Sequence, residues 1–216
     1  MKKYWILLLC MGLFSCQKEE LTIVEENQES SFLADAQLTR LMQSVTSHDG
    51  SFDDIIDQSS CFSINFPYQI LLNGESHNVN SVNDLLAISS QDIIEPVFPL
   101  TITTGDYVEE PIQSMAVFEE FITRCANGTL YNDRITCIDF TYPVRISVYN
   151  TENNDFETIM FTHDKETFTR IDLFESGVLA SIDYPIELRV QDTTALNISS
   201  NNELKASIMQ MVPLCQ

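Results

Sequence analysis

Four aromatic–proline pairs set the frame within which this chain can fold: Phe66-Pro67, Phe98-Pro99, Tyr142-Pro143 and Tyr184-Pro185. Each lies in a run that alternates apolar and polar residues, the pattern of an antiparallel strand with one buried and one wet face. In the first run Phe62, Ile64, Phe66, Tyr68, Ile70 and Leu72 share a face, opposite Ser63, Asn65, Pro67 and Gln69. The third sets Ile138, Phe140, Tyr142, Val144, Ile146 and Val148 against Asp139, Thr141, Pro143, Arg145 and Ser147. In the fourth, Ile182, Tyr184, Ile186, Leu188 and Val190 oppose Asp183, Pro185, Glu187, Arg189 and Gln191; Phe98, Leu100 and Ile102 make a shorter second copy. The wet faces, with Thr101, Thr103, Arg145, Glu187 and Arg189, read as polar and free of aromatics.

Each run then meets a turn and a second strand. Asn73-Gly74 is a type I′ hairpin signal, and Gly105-Asp106, Asn150 to Asp155 and Asp192-Thr193 mark the corresponding turns. A helix start follows each hairpin, at Ser81, Ser114, Asp164 and Ser200, with Leu85, Phe118, Phe168 and Leu204 four positions on. Ser200 and Glu203 spell a capping box. The proline-to-cap spacings are 14, 15, 21 and 15 residues, the longer third one arising from the polar insertion at 150–154. The fold expected is therefore α+β: four tandem ββα units, grouped as two ββαββα modules at 61–125 and 137–215, antiparallel sheets with helices on one face.

The cysteines suggest that grouping. Cys61 and Cys137 each stand six residues before a proline, and Cys125 and Cys215 end the helices of units two and four. Odd units open with cysteine and even units close with one, which predicts Cys61–Cys125 and Cys137–Cys215. The rival pairing is Cys125–Cys137, which would tie off the loop between modules. Cys61 and Cys137 share parity with the polar strand face, so the first pairing needs each to sit ahead of its regular strand.

The N-terminus supplies an address. Lys2 and Lys3 precede an apolar stretch from Tyr4 to Phe14 that is too short to span a bilayer, and Leu13-Phe14-Ser15-Cys16 resembles a bacterial lipobox. That resemblance implies a signal peptide at 1–15 and acylation (palmitate among the chains) of Cys16, with the membrane as partner through lipid. Gln17 is not the Asp that resembles an inner-membrane retention signal, and Lys18-Glu19-Glu20 is similar to a Bacteroidetes surface-export signal. The expected location is the outer membrane, lipid-anchored and facing outward. An even set of four cysteines beyond Cys16 fits disulfides in an oxidising compartment. Loss of Lys2 and Lys3 takes the net charge from −21 to −23, a surface that repels phosphate backbones and excludes nucleic acid as a partner.

Residues 16–31 read as an acidic tether, and 32–60 as a short amphipathic helix over 32–46 followed by an aspartate-rich loop. The segments HDGSFDDIID (48–57), CFSINFPYQILLNG (61–74) and CIDFTYPVRISVYN (137–150) resemble a family of uncharacterised Bacteroidetes surface lipoproteins with tandem aromatic-Pro strand repeats. The resemblance implies architecture and surface location, and no activity.

The chain carries no GxSxG, HExxH, phosphate-loop or dinucleotide fingerprint. His48, His77 and His163 read as solvent side chains, and no residue is nominated as catalytic. Asp49, Asp53, Asp54 and Asp57 could wrap a calcium ion, although they do not follow the EF-hand order; no other cofactor is expected. Asp192-Thr193-Thr194 is similar to a Bacteroidetes O-glycosylation sequon, with Thr193 as acceptor. The function expected is a non-enzymatic binding or structural module whose protein or glycan partner is unnamed. The alternatives are an extracellular polymer hydrolase using unidentified carboxylates and an accessory subunit of an outer-membrane complex. A cleft holding a buried carboxylate pair would favour the hydrolase.

Overall fold

The computed structural model describes residues 30–191 and 193–215, the Leu214 side chain excepted. The described residues form an α+β structure of twelve strands in four three-stranded antiparallel sheets. The strands are β1 (Phe62–Ile64), β2 (Tyr68–Leu72), β3 (Glu75–Val79), β4 (Ile94–Pro96), β5 (Leu100–Thr104), β6 (Glu109–Ile112), β7 (Ile138–Phe140), β8 (Val144–Asn150), β9 (Asp155–Phe161), β10 (Val178–Ile182), β11 (Ile186–Val190) and β12 (Thr194–Ile198). The helices are α1 (Ala36–Thr46), α2 (Asp54–Asp57), α3 (Val82–Leu85), α4 (Met115–Ala126), α5 (Asp164–Asp172) and α6 (Asn201–Met211).

The alternating runs predict strands that continue through each aromatic–proline pair. Instead the ladder stops on both sides of Pro67, Pro99, Pro143 and Pro185, and all four aromatic–proline bonds are cis. Proline has no N–H to donate, which bars it from a central strand such as β2, β5, β8 or β11, whereas Pro96 and Pro111 are tolerated in the edge strands β4 and β6. The two halves of each run therefore enter different sheets. The half before proline pairs outside its own hairpin: β1 with β5, β4 with β2, β7 with β11 and β10 with β8. The half after proline also forms the hairpin the turn residues announce. Asn73 and Gly74 join β2 to β3 with φ of 54° and 85°, the left-handed pair that a two-residue type I′ turn needs.

The aromatic of each later pair reaches the helix that follows it. Phe98 packs edge-on against Phe118 of α4, with ring centroids 5.9 Å apart. The Tyr142 hydroxyl donates to Asp164 Oδ1 at 2.6 Å and the Tyr184 hydroxyl to Asn201 Oδ1 at 2.9 Å. Ser81, Ser114 and Ser200 stand at the N-caps of α3, α4 and α6 as expected. At α5 the cap is His163, whose Nδ1 accepts from Glu166 N, one residue earlier than the Asp164 expected from sequence. Asp164 is engaged by Tyr142 and opens the first turn instead.

Two cores result. Phe62, Ile64, Ile70, Ile102, Phe118 and their neighbours form one, and Phe140, Ile146, Leu188, Phe161, Leu204 and theirs form the other. The segment at 32–60 serves both. Leu38, Met42 and Val45 of α1 pack into the second core, whereas Ile56 of α2 packs into the first. The stretch at 47–60, expected as a loop, is helical at 51–57 because Asp49 Oδ1 accepts from Ser51 N at 2.8 Å and opens the turn. Of the expected tether only residues 30 and 31 are described. The Ser30 carbonyl accepts from Asn201 Nδ2, and Ser31 Oγ from Ala180 N of β10.

Cys61–Cys125 and Cys137–Cys215 are bonded, with Cα atoms 5.8 and 5.2 Å apart. Cys61 and Cys137 each stand one residue ahead of their strand, the position that parity demanded.

Candidate functional site

Chemistry-bearing side chains gather in two places: the segment at 47–60 laid over β1, and the outer face of the sheet β10–β8–β9.

Over β1, the chain approaches so closely that a Cβ on Gly50 would collide with the Phe62 backbone carbonyl. Gly50→Ala is expected to destabilise the protein by about 1–3 kcal/mol, the usual cost of overpacking, seen as a lowered urea midpoint. An unchanged midpoint would show that the segment yields. His48, expected in solvent, is half-buried here: its backbone N–H donates to the Gly105 carbonyl, and its Nε2 lies 2.6 Å from Ser63 Oγ. Burial lowers its pKa from the ordinary histidine value, which favours the neutral imidazole. That is the distance of a base–nucleophile pair, but Ser63 is 3% exposed, so no substrate carbonyl can approach its oxygen. Thr103 is buried, its Oγ1 donating to Asn65 Oδ1 at 2.7 Å, and Thr101 is half-buried, although both were expected on a wet face. His77 is exposed on β3, and His163 is a helix cap.

Asp53 and Asp57 are four residues apart across this helical stretch, and both are 0% exposed. Asp53 Oδ2 accepts from Ile64 N at 2.7 Å and Asp57 Oδ1 from Ser59 N at 3.0 Å. Asp53 Oδ1, Asp57 Oδ2 and the buried Tyr68 hydroxyl have no hydrogen-bond partner among the described residues. Burial pushes the Asp57 carboxyl up to about 9, helped by the charge of Asp53. It pushes Asp53 up to about 7, with Asp54 and Asp49 adding to the rise. The Tyr68 phenol also rises, through burial and both aspartates.

The other two aspartates of the expected calcium set turn elsewhere. Asp49 forms an ion pair with Arg134 at 2.8 Å, and Asp54 Oδ2 accepts from Ser60 Oγ. Among the described residues, no group of three or more His, Cys, Asp or Glu is arranged to hold a metal ion.

The second place is open. On β8, Val144, Ile146 and Val148 face the core, so Arg145, Ser147 and Tyr149 face outward. Register aligns them with both neighbours. Tyr149 stands between Phe156 of β9 and Leu179 of β10, Ser147 between Thr158 and Ser181, and Arg145 beside Met160. Asp183 completes the third row, donating its N–H to the Arg145 carbonyl and accepting from Ser147 Oγ at 2.8 Å. Phe156 is 63% exposed, Leu179 48% and Met160 49%, with Tyr149 half-buried between the first two. Beyond the third row lies a shallow cleft of about 290 Å³ lined by Pro143, Arg145, Met160, Asp183 and Tyr184. The expectation of wet faces free of aromatics fails on this sheet. The first strands alone suggested it; the signal was in Asp155–Phe161, where Phe156, Thr158 and Met160 alternate against Ile159 and Phe161.

The faces opposite the core on the other three sheets carry no aromatic side chain on their central strands, although Thr103 is buried and Leu71 is apolar. Their central strands present Gln69 and Leu71, Thr101 and Thr103, and Glu187 and Arg189. Thr193 is exposed in the turn between β11 and β12, whereas Asp192 and Cys16 lie outside the described residues. Comparison of the chain with protein-family models, curated proteins and solved structures returned no match.

Proposed function

We propose that this protein is a lipid-anchored, non-enzymatic binding module on the exterior of a bacterial outer membrane. Two ββαββα modules, each closed by one disulfide and with helices on one face of its sheets, would form the scaffold. One outer sheet face would meet the partner. The lipobox-like Leu13 to Cys16 supports the anchor, and two disulfides are consistent with an oxidising exterior.

The observation that carries the binding reading is the Leu179–Tyr149–Phe156 row. Single exposed apolar side chains are ordinary, whereas three aligned across three strands make a contiguous patch of the kind that marks interaction sites. The hydrolase alternative rests on Asp53 and Asp57. That pair is desolvated, which raises a carboxyl pKa as general acids often require, but both side chains are 0% exposed, so the protein itself covers them.

The test is capture of partners from outer-membrane, periplasmic and glycan fractions by the anchored full chain. Phe156→Ala is expected to lose at least tenfold in recovered partner while its thermal midpoint stays within about 1 °C, because an exposed ring adds little to stability. Recovery of nothing from any fraction removes the binding reading. Cys16→Ser is expected to abolish palmitate labelling and leave the precursor uncleaved; labelling that persists would refute the anchor.

A further inference from the structure

We infer that the free edge of β9 receives an extended segment of a partner protein in which apolar and basic residues alternate, added as a further antiparallel strand. This rests on the binding reading above and names the partner's chemistry.

Backbone parity opens that edge. The Arg145 carbonyl accepts from Asp183 N on the β10 side of β8. Backbone groups point to alternate sides along a strand, so Val144, Ile146, Val148 and Asn150 bond toward β9. Register pairs these with Phe161, Ile159, Glu157 and Asp155, whose N–H and C=O groups are thereby turned inward. Those of Phe156, Thr158 and Met160 point away from the sheet. Among the described residues no hydrogen bond reaches them, because β9 is laddered to β8 alone.

An unpaired edge is a template for another strand, and proteins blunt it with proline, lysine or a covering segment. Pro96 and Pro111 stand in the edge strands β4 and β6, and Ser31 covers β10 by accepting from Ala180 N. At seven residues β9 is the longest edge strand among the described residues, and its sequence DFETIMF holds neither proline nor lysine.

Side chains select the occupant. An added strand sets alternate residues on opposite faces, each beside its β9 neighbour. On the outer face those neighbours are Phe156, Thr158 and Met160, all exposed. Apolar side chains there would extend the Leu179–Tyr149–Phe156 row by one strand. On the opposite face they are Asp155 and Glu157, both exposed, beside a cleft of about 240 Å³ that Glu175 and Arg170 also line. Residues 151–175 hold seven acidic side chains against Lys165 and Arg170, and Arg170 is already paired with Glu157 at 2.9 Å. Lysine or arginine on that face of the added strand meets this excess of negative charge. A second copy of the chain fits badly, since it brings the same −21.

The experiment is fluorescence anisotropy of a labelled heptapeptide of alternating valine and lysine, titrated with the detergent-solubilised full chain. It is expected to bind at least about tenfold more tightly than its valine–glutamate analogue, and than an isomer with the same residues in two blocks. Salt at 0.5 M is expected to weaken it at least about threefold. Antiparallel addition turns the valine amides toward β9, so N-methylating them is expected to cost at least about tenfold, whereas methylating the lysine amides changes less than about threefold. Thr158→Pro removes an edge donor without touching the β8 ladder and is expected to cost about tenfold, with the thermal midpoint as the check on folding. The methylated peptides test the same bonds on the unaltered protein. No binding of the alternating peptide would overturn the inference, as would equal binding of the block isomer or indifference to valine methylation. A captured partner that requires Phe156 but tolerates Thr158→Pro would sink strand addition and leave the binding face standing; if nothing requires Phe156, both fall.

Discussion

Replacing Cys61 and Cys125 together by alanine is expected to lower the unfolding free energy by about 4 kcal/mol. The bridge closes a loop of 64 residues, and on the chain-entropy account such a closure removes about that much freedom from the unfolded chain. Cys61 is 2% exposed and packs in the first core, so alanine leaves a small cavity and no stranded polar group. Breaking Cys137–Cys215, which closes 78 residues, should cost a similar amount, since the dependence on loop length is only logarithmic. Against a typical total of about 5–15 kcal/mol, loss of both would leave little stability. Urea titration with and without reductant measures this directly. A reduced protein whose midpoint matches the oxidised one would show that the packed cores alone hold the fold.

Asp57→Asn is expected to stabilise the protein at pH 8–9 and to flatten its pH dependence. Asp57 has its pKa raised to about 9 in the folded chain from an ordinary value of 3.8, and Asp53 to about 7. A raised carboxyl pKa means the folded state holds its proton longer than the unfolded one. The contribution is therefore complete below about pH 4 and is lost as pH rises through the folded values. Between pH 4 and 7 both groups act in the same direction. Between pH 7 and 9 Asp57 dominates, at about 1.4 kcal/mol per pH unit for one proton. The asparagine amide carries no charge at any pH and keeps a carbonyl oxygen for Ser59 N, so the variant's slope above pH 7 should nearly vanish. Chemical denaturation at pH 5, 7 and 9 distinguishes the two chains. Parallel curves would mean that the Asp57 carboxylate finds a partner when it ionises.

Such a pH response was not visible in the aspartate run itself. The spacing of Asp53 and Asp57 is compatible with an exposed helical turn, and only the docking of that turn on β1 removes both from water. His48 is similar: nothing within 48–57 says that its ring will meet Ser63. In both cases burial is imposed by a partner strand that the local pattern does not name.

Local physics fixed much else. Alternation assigned the core side of each strand: Phe62, Ile64, Ile70, Ile102, Ile146 and Leu188 are all buried, at 1% exposure or less. Asn73-Gly74 determined its hairpin through the left-handed φ that glycine and asparagine tolerate, and serines located three helix starts. The cysteine positions at the edges of paired units were enough to select the bonded pairs. What only the tertiary structure decided is which strands lie side by side. Proline interrupts each run and sends its two halves to different sheets, a choice settled by long-range pairing. The open row depends on the same register: Tyr149, Phe156 and Leu179 come from three strands, and hydrogen-bond ladders bring them into line. Periodicity tells a residue which side of its own strand it occupies; its neighbours across the sheet are set by where distant segments pair, and one strand's sequence holds no record of that.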